Sequence, residues 1–157
     1  MADETEVLQD DKYKYTTYEE VYKAFLSSVD SYDLAAMDDI SLEETMYRYL
    51  VSGRIVFANY AAKDLTDDDP ENKRFNVKLS SYEIVVLAKA MTLEWVRVHK
   101  NSEENMRKSI GDRDYNAVQG YQYLEKLQAL DSQLTREIRR DILRLEYGNS
   151  ELYGDMK

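Results

Sequence analysis

Hydrophobic residues recur every three or four positions along the last third of the chain. The stripe consists of Tyr121, Leu124, Leu127, Leu130, Leu134, Ile138, Ile142 and Leu145. This spacing places all of them on one face of a helix. A helix from about Ala117 to Tyr147 would be roughly 45 Å long at 1.5 Å per residue. We therefore expect a long terminal helix that organises a bundle or an assembly.

Three residue pairs have the spacing of a capping box, in which Ser or Thr at a helix start is followed three positions later by Glu. They are Thr17 with Glu20, Ser41 with Glu44, and Ser80 with Glu83. Each precedes an apolar pattern of helical period, and the first helix is expected to end near Ser31. Gly53 lies inside the second predicted helix, where glycine costs about 1 kcal/mol relative to alanine. It therefore predicts close helix packing, a kink or a break.

The third capping box opens the predicted central helix, which carries the only tryptophan and is expected to end near His99. A separate short helix is expected over 101–111, and Gly148 is expected to end the terminal helix. Residues 64–76 are polar and contain the only proline, so they predict a surface loop. A short extended piece is expected at 74–78.

Together these elements predict an all-α fold: a helical bundle of four or five helices with a long C-terminal helix and flexible ends. Residues 1–16 are expected to form a flexible acidic arm, residues 17–147 the helical domain and residues 148–157 a flexible C-terminal tail. At 157 residues, the chain is long enough to bury a core without a metal or a disulfide. The predicted core residues are Phe25, Leu50, Phe57, Leu87, Met91, Trp95, Leu127, Leu134 and Ile138.

Most of the negative charge lies in the N-terminal third. The formal net charge is −10, and residues 1–50 hold 13 acids against 4 bases. These acids are interpreted as solvated surface or as a contact for a neighbouring copy. Binding to nucleic acid in general is disfavoured, because it requires a basic face. The chain has no cysteine, no apolar run of about 18 residues and no basic, then apolar leader, so we expect a soluble protein without a membrane span or an export signal.

Residues with catalytic chemistry are scarce. The chain contains one histidine, no cysteine and no phosphate-binding glycine loop. Neighbouring carboxylates are explained by helix N-termini, which favour negative charge, and Asp67–Asp69 lack the other ligands of an EF-hand. His99 is interpreted as a side chain that caps a helix end. A helical di-iron enzyme would need Glu-x-x-His pairs on two helices. We therefore predict a non-enzymatic protein with no catalytic residue, cofactor or metal.

Two residue types favour contacts with other chains. Tyrosine, of which there are 14, combines a ring that can be buried with a hydroxyl that stays in water. Four arginines concentrate positive charge on the terminal helix, where interleaved acids allow local pairs. These arginines either pair within their own helix or contact the acidic third of a neighbouring copy. The interface candidates are Tyr13, Tyr15, Arg136, Arg139, Arg140, Arg144, Leu152 and Tyr153.

The stretch from Arg74 to Tyr147 carries a recognisable order of short helical motifs. They are Phe75-Asn76-Val77-Lys78-Leu79-Ser80, Glu83-Ile84, Leu87-Ala88, Met91, Glu94-Trp95, Asp114-Tyr115, Tyr123-Leu124, Leu127 and Glu146-Tyr147. Upstream, the same pattern includes Tyr22, Phe25-Leu26, Asp33, Tyr49-Leu50 and Ile55 to Phe57. In this order the chain resembles the small helical head-to-tail connector proteins of tailed bacteriophages, also called adaptor or neck proteins.

The resemblance implies a structural protein of the virion neck that is synthesised in the cytoplasm of a host bacterium. About twelve copies would form a closed ring below the portal. That ring would extend the DNA channel and join the capsid to the tail, with the portal protein and the next neck or tail-completion protein as partners. DNA would pass through the channel during genome ejection without specific binding, and the flexible ends would reach neighbouring chains.

The acidic N-terminal third leaves a second interpretation open. Its carboxylates would mimic DNA phosphates, and the chain would be a small inhibitor or regulator of a nucleic-acid-binding protein. Stoichiometry distinguishes the two interpretations. A mimic acts as a monomer or dimer and binds a basic partner with a strong dependence on salt, whereas a connector assembles into a ring.

Overall fold

The computed structural model describes residues 14–149, and within that range the prediction of an all-α fold is confirmed. The α-helices are α1 (Tyr18–Ser28), α2 (Tyr32–Ala36), α3 (Asp39–Gly53), α4 (Ser81–Ile110), α5 (Asp112–Ala117) and α6 (Gly120–Gly148). A 3-10 helix over Arg54–Phe57 follows α3. The two short helices α2 and α5 were not expected from the sequence. Most of the predicted arm and tail lies outside the described residues.

Helix α1 begins where the first capping box predicts. The Thr17 hydroxyl accepts a hydrogen bond from the Glu20 amide, and the Glu20 carboxylate accepts one from the Thr17 amide at 2.8 Å. Strand β1 (Thr16–Thr17) immediately precedes the helix, and Thr16 is fully buried. Ordered structure therefore begins before Thr17, within the last residues of the range expected to form the arm.

Helix α3 begins three residues earlier than the second capping box predicts. The Asp38 carboxylate accepts hydrogen bonds from the Ser41 amide and hydroxyl at 2.9 and 2.8 Å, and these bonds hold the pKa of Asp38 below its usual value. The predicted capping box of Ser41 with Glu44 is therefore wrong. A carboxylate that satisfies two donors is the better cap at this position.

Gly53 ends α3, and the chain continues as the 3-10 helix. A Cβ atom at Gly53 would lie 3.1 Å from the backbone nitrogen of Met91 and 3.2 Å from the carbonyl carbon of Ala90. The missing side chain thus lets the backbones of α3 and α4 approach closely. Both the close packing and the break that the sequence predicts at Gly53 are confirmed.

A small antiparallel sheet anchors the loop between α3 and α4. Strands β2 (Asp68–Asp69) and β3 (Arg74–Phe75) form it together with β1 in the order β1-β3-β2. Phe75 lies opposite both Thr16 and Asp68, and its ring is fully buried. The turn between β2 and β3 places Lys73 in the left-handed region, with φ 54°. The extended piece expected at 74–78 is confirmed for its first two residues.

Helix α4 is continuous over 30 residues, so the separate helix expected over 101–111 is wrong. The Ser80 and Glu83 capping box opens α4 as predicted, and Gly111 ends it with φ 85°. No glycine or proline interrupts 81–110, and the polar residues after position 100 include good helix formers, so the helix continues past the apolar pattern. His99 consequently lies inside the helix.

Helix α6 is the long terminal helix that the apolar stripe predicts, displaced by about three residues at its start because α5 intervenes. Tyr115 of helix α5 is completely buried. The Tyr115 hydroxyl donates a hydrogen bond to the Glu103 carboxylate at 2.8 Å. A Cβ atom at Gly120 would lie 2.5 Å from the Tyr115 ring. Glycine at the start of α6 therefore leaves room for that ring.

The hydrophobic core surrounds α4, which packs against α1, α3 and α6. Seven of the predicted core residues are buried: Phe25, Leu50, Phe57, Leu87, Met91, Leu127 and Ile138. Trp95 and Leu134 are only half-buried and pack against the edge of the core. Both lie on long helices with one face in solvent.

Candidate interaction surfaces

Polar contacts fix which face of α6 is directed at α4. Asp141 is 2 % exposed and accepts hydrogen bonds from the Tyr82 hydroxyl at 3.0 Å and the Lys89 ammonium at 2.8 Å. Two to three turns earlier in α6, the Asp131 carboxylate accepts a hydrogen bond from the Lys100 ammonium at 2.9 Å. These contacts and the buried leucines of the stripe hold one face of α6 on α4. The opposite face points outward.

The outward face of α6 carries the arginines that the sequence singles out. Arg136, Arg139 and Arg140 lie on it, Arg144 lies at its flank, and all four are exposed. The Arg140 guanidinium is 4.0 Å from the Asp141 carboxylate. Among the described residues, the other three arginines form no ion pair within 4.0 Å. Local pairing within the helix therefore accounts for Arg140 alone.

Apolar side chains share this outward face with the arginines. Leu143, about one turn after Arg139, is half-exposed, and Tyr147, about one turn after Leu143, is 65 % exposed. Glu137, which stands three positions before Arg140, instead contacts Lys89 at 3.6 Å and Gln133 at 2.9 Å. Arginine and tyrosine are enriched at protein interfaces and dominate their energetics. We call this surface the arginine face.

A second surface is a pocket of about 300 Å³ between α1, α3 and the turn that precedes β3. Tyr18 and Tyr22 of α1 and Tyr47 of α3 line it, and we call it the tyrosine pocket. The centroid of the Tyr18 ring lies 5.7 Å from that of Tyr47 and 6.3 Å from that of Tyr22. The remaining lining residues are Ile40, Glu43, Glu44, Pro70 and Lys73.

A hydrogen bond holds the Tyr18 ring in the tyrosine pocket, and burial raises the pKa of Tyr18 and of Tyr22. The Tyr18 hydroxyl donates to the Asp68 carboxylate, which also accepts a hydrogen bond from Arg54 at 3.0 Å. Burial, this hydrogen bond and the Asp68 charge raise the pKa of Tyr18 well above its usual value. Burial and the charge of Glu43 do the same to the pKa of Tyr22. Both hydroxyls therefore keep their protons at neutral pH.

The rim of the tyrosine pocket carries more negative than positive charge. The Glu43 carboxylate forms a salt bridge with the Lys73 ammonium, with 2.6 Å between the oxygen and the nitrogen. Glu44 is exposed and has no ion pair within the described residues. Ile40, also on the rim, is 73 % exposed. Aromatic faces beside carboxylates attract a cation, so this pocket suits a basic side chain.

Sequence reasoning did not identify this pocket as a site. Tyr18 and Tyr22 have the spacing of two residues on one helical face, and that spacing was the available signal. Tyr47 and Lys73 come from distant parts of the chain, so no local pattern places them beside α1.

Another cavity, of about 480 Å³, lies between α2, α3, α4 and α6 and is lined in part by Trp95 and His99. His99 Nδ1 lies 2.9 Å from the Trp95 carbonyl oxygen, and the His99 and Trp95 rings are in contact at a tilt of 37°, with their centroids 4.3 Å apart. His99 Nε2 is 3.7 Å from the Asp33 carboxylate. The predicted helix-end role of His99 is wrong, because α4 continues for eleven residues beyond it.

In residues 14–149, no three His, Cys, Asp or Glu side chains are grouped so that they could hold a metal ion.

The remaining interface candidates lie at the ends of the chain. The Arg74 guanidinium stacks over the Tyr15 ring, 4.1 Å from its centroid, so Tyr15 packs on its own chain. Tyr13, Leu152 and Tyr153 lie outside the described residues.

Comparison with known proteins gives no relative for this chain. It matches no family model, no curated protein and no solved structure. Over the part of the chain that the structure describes, no helix is both long enough and apolar enough to cross a lipid bilayer. Its function is therefore inferred from its own residues.

Proposed function

We propose that this chain is a structural head-to-tail connector of a tailed-bacteriophage virion. About twelve copies form a closed ring below the portal, extend the DNA channel and join the capsid to the tail. The observation that carries the proposal is the order of helical motifs from Arg74 to Tyr147. No catalytic role is proposed for any residue.

The burial of the motif residues supports this proposal. The side chains that carry the resemblance and are fully or almost fully buried are Phe75, Leu79, Leu87, Met91, Tyr115, Leu124 and Leu127. The motifs therefore correspond to packing positions of α4, α5, α6 and the strand before them. Burial is the role that the proposed resemblance expects of these positions.

The outward face of α6 supports a role in assembly. It combines exposed arginines with the exposed Leu143, and a surface of this composition is typical of a protein interface. In the proposed ring, this face contacts another copy, the portal protein, or the next neck or tail-completion protein. The net charge of −10 reduces binding to the phosphates of passing DNA, so DNA slides through without specific contacts.

The location of the chain in virions tests the proposal. Antibodies against the chain are applied to purified, intact particles of the phage that encodes it, and to heads that have lost their tails. The proposal expects label at the neck, and heads without tails when the gene is disrupted. Virions that lack the chain, or normal tailed particles after disruption of the gene, would overturn it.

A further inference from the structure

We propose that the tyrosine pocket of one copy binds an arginine side chain, Arg136 or Arg139, from the arginine face of a second copy. This contact rests on the proposed function, because a ring requires copies of the chain to touch one another. It names the two surfaces that meet.

The chemistry of the tyrosine pocket selects a guanidinium. Tyr47 is partly exposed and offers its ring to an incoming side chain, while Tyr18 and Tyr22 are 2 % and 7 % exposed and form the buried floor of the pocket. A planar guanidinium stacks on an aromatic ring better than a compact ammonium does. Glu44 on the rim supplies a carboxylate that is not engaged by another described side chain. Glu43 is engaged by Lys73, so the incoming cation pairs first with Glu44.

The arginine face supplies the matching cations. Arg136 and Arg139 are exposed and have no ion pair among residues 14–149, while Arg140 lies beside the Asp141 carboxylate of its own helix. An apolar match accompanies the charges, since Leu143 is half-exposed beside the arginines and Ile40 is exposed beside the pocket. Charged groups give such a contact its specificity, and the apolar pair adds buried area.

The two surfaces do not share a residue. The tyrosine pocket is lined by α1, α3 and residues 70–73, and the arginine face belongs to α6. A contact between two different surfaces leaves a free pocket at one end and a free arginine face at the other. Such head-to-tail contacts close into a ring when the rotation per copy permits and otherwise extend into a filament.

Charge reversal on the two surfaces tests this contact. One full-length variant carries Arg136→Glu with Arg139→Glu, and a second carries Glu44→Arg. The matched control carries Lys108→Glu with Arg113→Glu, which makes the same charge change at exposed positions away from both surfaces. Sedimentation velocity measures self-association of each chain over a range of concentrations, and circular dichroism checks that each remains helical.

The proposed contact predicts a specific pattern of loss and rescue. Each reversed variant alone associates at least tenfold more weakly than the parent, and the Lys108/Arg113 control associates like the parent. A mixture of the two reversed variants regains association, because every contact between alternating copies again joins opposite charges. Tyr47→Leu keeps the apolar bulk but removes the ring, and it weakens association by about fivefold.

In solution, the contact would be overturned by a parent chain that stays monomeric, by reversed variants that associate like the parent, or by a mixture that is not rescued. None of these outcomes changes the result expected from antibody labelling of virions. Failure of the contact can therefore be distinguished from failure of the connector proposal. Reversed variants that still form rings on the portal would reject the pocket contact and leave the connector in place.

Discussion

Replacement of Asp141 by alanine tests whether α6 is held on α4 by the contacts described above. Asp141 is buried and accepts hydrogen bonds from Tyr82 at 3.0 Å and from Lys89 at 2.8 Å. Both donors come from α4, so this one carboxylate joins the two longest helices. The substitution removes both bonds at once.

The expected loss of stability follows from the exposure of the two donors. A hydrogen bond to a charged group contributes roughly 1.5–3 kcal/mol when both partners are buried. Tyr82 is 41 % exposed and the Lys89 side chain is 31 % exposed, so water partly replaces each bond and screens the ion pair. We discount each bond to about 1 kcal/mol, which gives a total loss of about 2 kcal/mol for Asp141→Ala.

Urea unfolding followed by circular dichroism measures this loss. Glu125→Ala is the matched control, because it removes an exposed carboxylate from the same helix and is expected to change the free energy of unfolding by less than about 0.5 kcal/mol. If Asp141→Ala unfolds at the same urea concentration as the parent, the two hydrogen bonds do not hold α6 on α4, and the reasoning is refuted.

The same carboxylate predicts how stability depends on pH. Burial alone would raise the pKa of Asp141, but the hydrogen bonds from Lys89 and Tyr82 outweigh burial and hold this pKa below its usual value. A carboxyl whose pKa is lower in the folded state stabilises the fold above its unfolded pKa of about 3.9. That contribution is lost as the pH falls below about 4, so the difference between parent and Asp141→Ala shrinks in acid.

Three further variants have expected outcomes. Gly53→Val costs about 1–3 kcal/mol in urea unfolding, because its side chain would press on the α4 backbone 3.1 Å away; unchanged stability would contradict the close packing. Trp95→Ala costs about 2 kcal/mol in the same assay, below the range for a fully buried aromatic, because the ring is half-buried; a loss under about 0.5 kcal/mol would show that the indole does not pack on the core. Arg139→Glu with Arg140→Glu weakens assembly in light scattering while the chain stays helical, and unchanged assembly would remove these arginines from the interface.

Local signals predicted the parts of the fold that depend on neighbouring residues. The capping boxes at Thr17 and Ser80 each involve two side chains three positions apart, and both form as expected. The apolar stripe predicts α6 because a helical period is itself local. The box at Ser41 fails because a stronger cap, Asp38, stands three residues before it.

These local signals do not predict contacts between residues that are far apart in the sequence. Thr16 pairs with Phe75, and no pattern near either residue indicates its partner. Helix α4 continues past His99 because nothing breaks it, although its apolar pattern ends there. The tyrosine pocket likewise needs Tyr47 and Lys73 to meet α1 in the folded chain. Composition showed that tyrosine is abundant, but only the tertiary structure identifies the three rings that share one pocket.

The mass of the purified chain in solution, alone and mixed with the portal protein, tests the connector proposal most directly. Light scattering gives the mass, and electron microscopy shows the shape of any large species. The proposal predicts closed rings, formed either by the chain alone or on the portal. A chain that stays a monomer or dimer, does not bind the portal protein and binds a basic DNA-binding protein in a salt-dependent manner would contradict the connector proposal. That result would favour the DNA mimic.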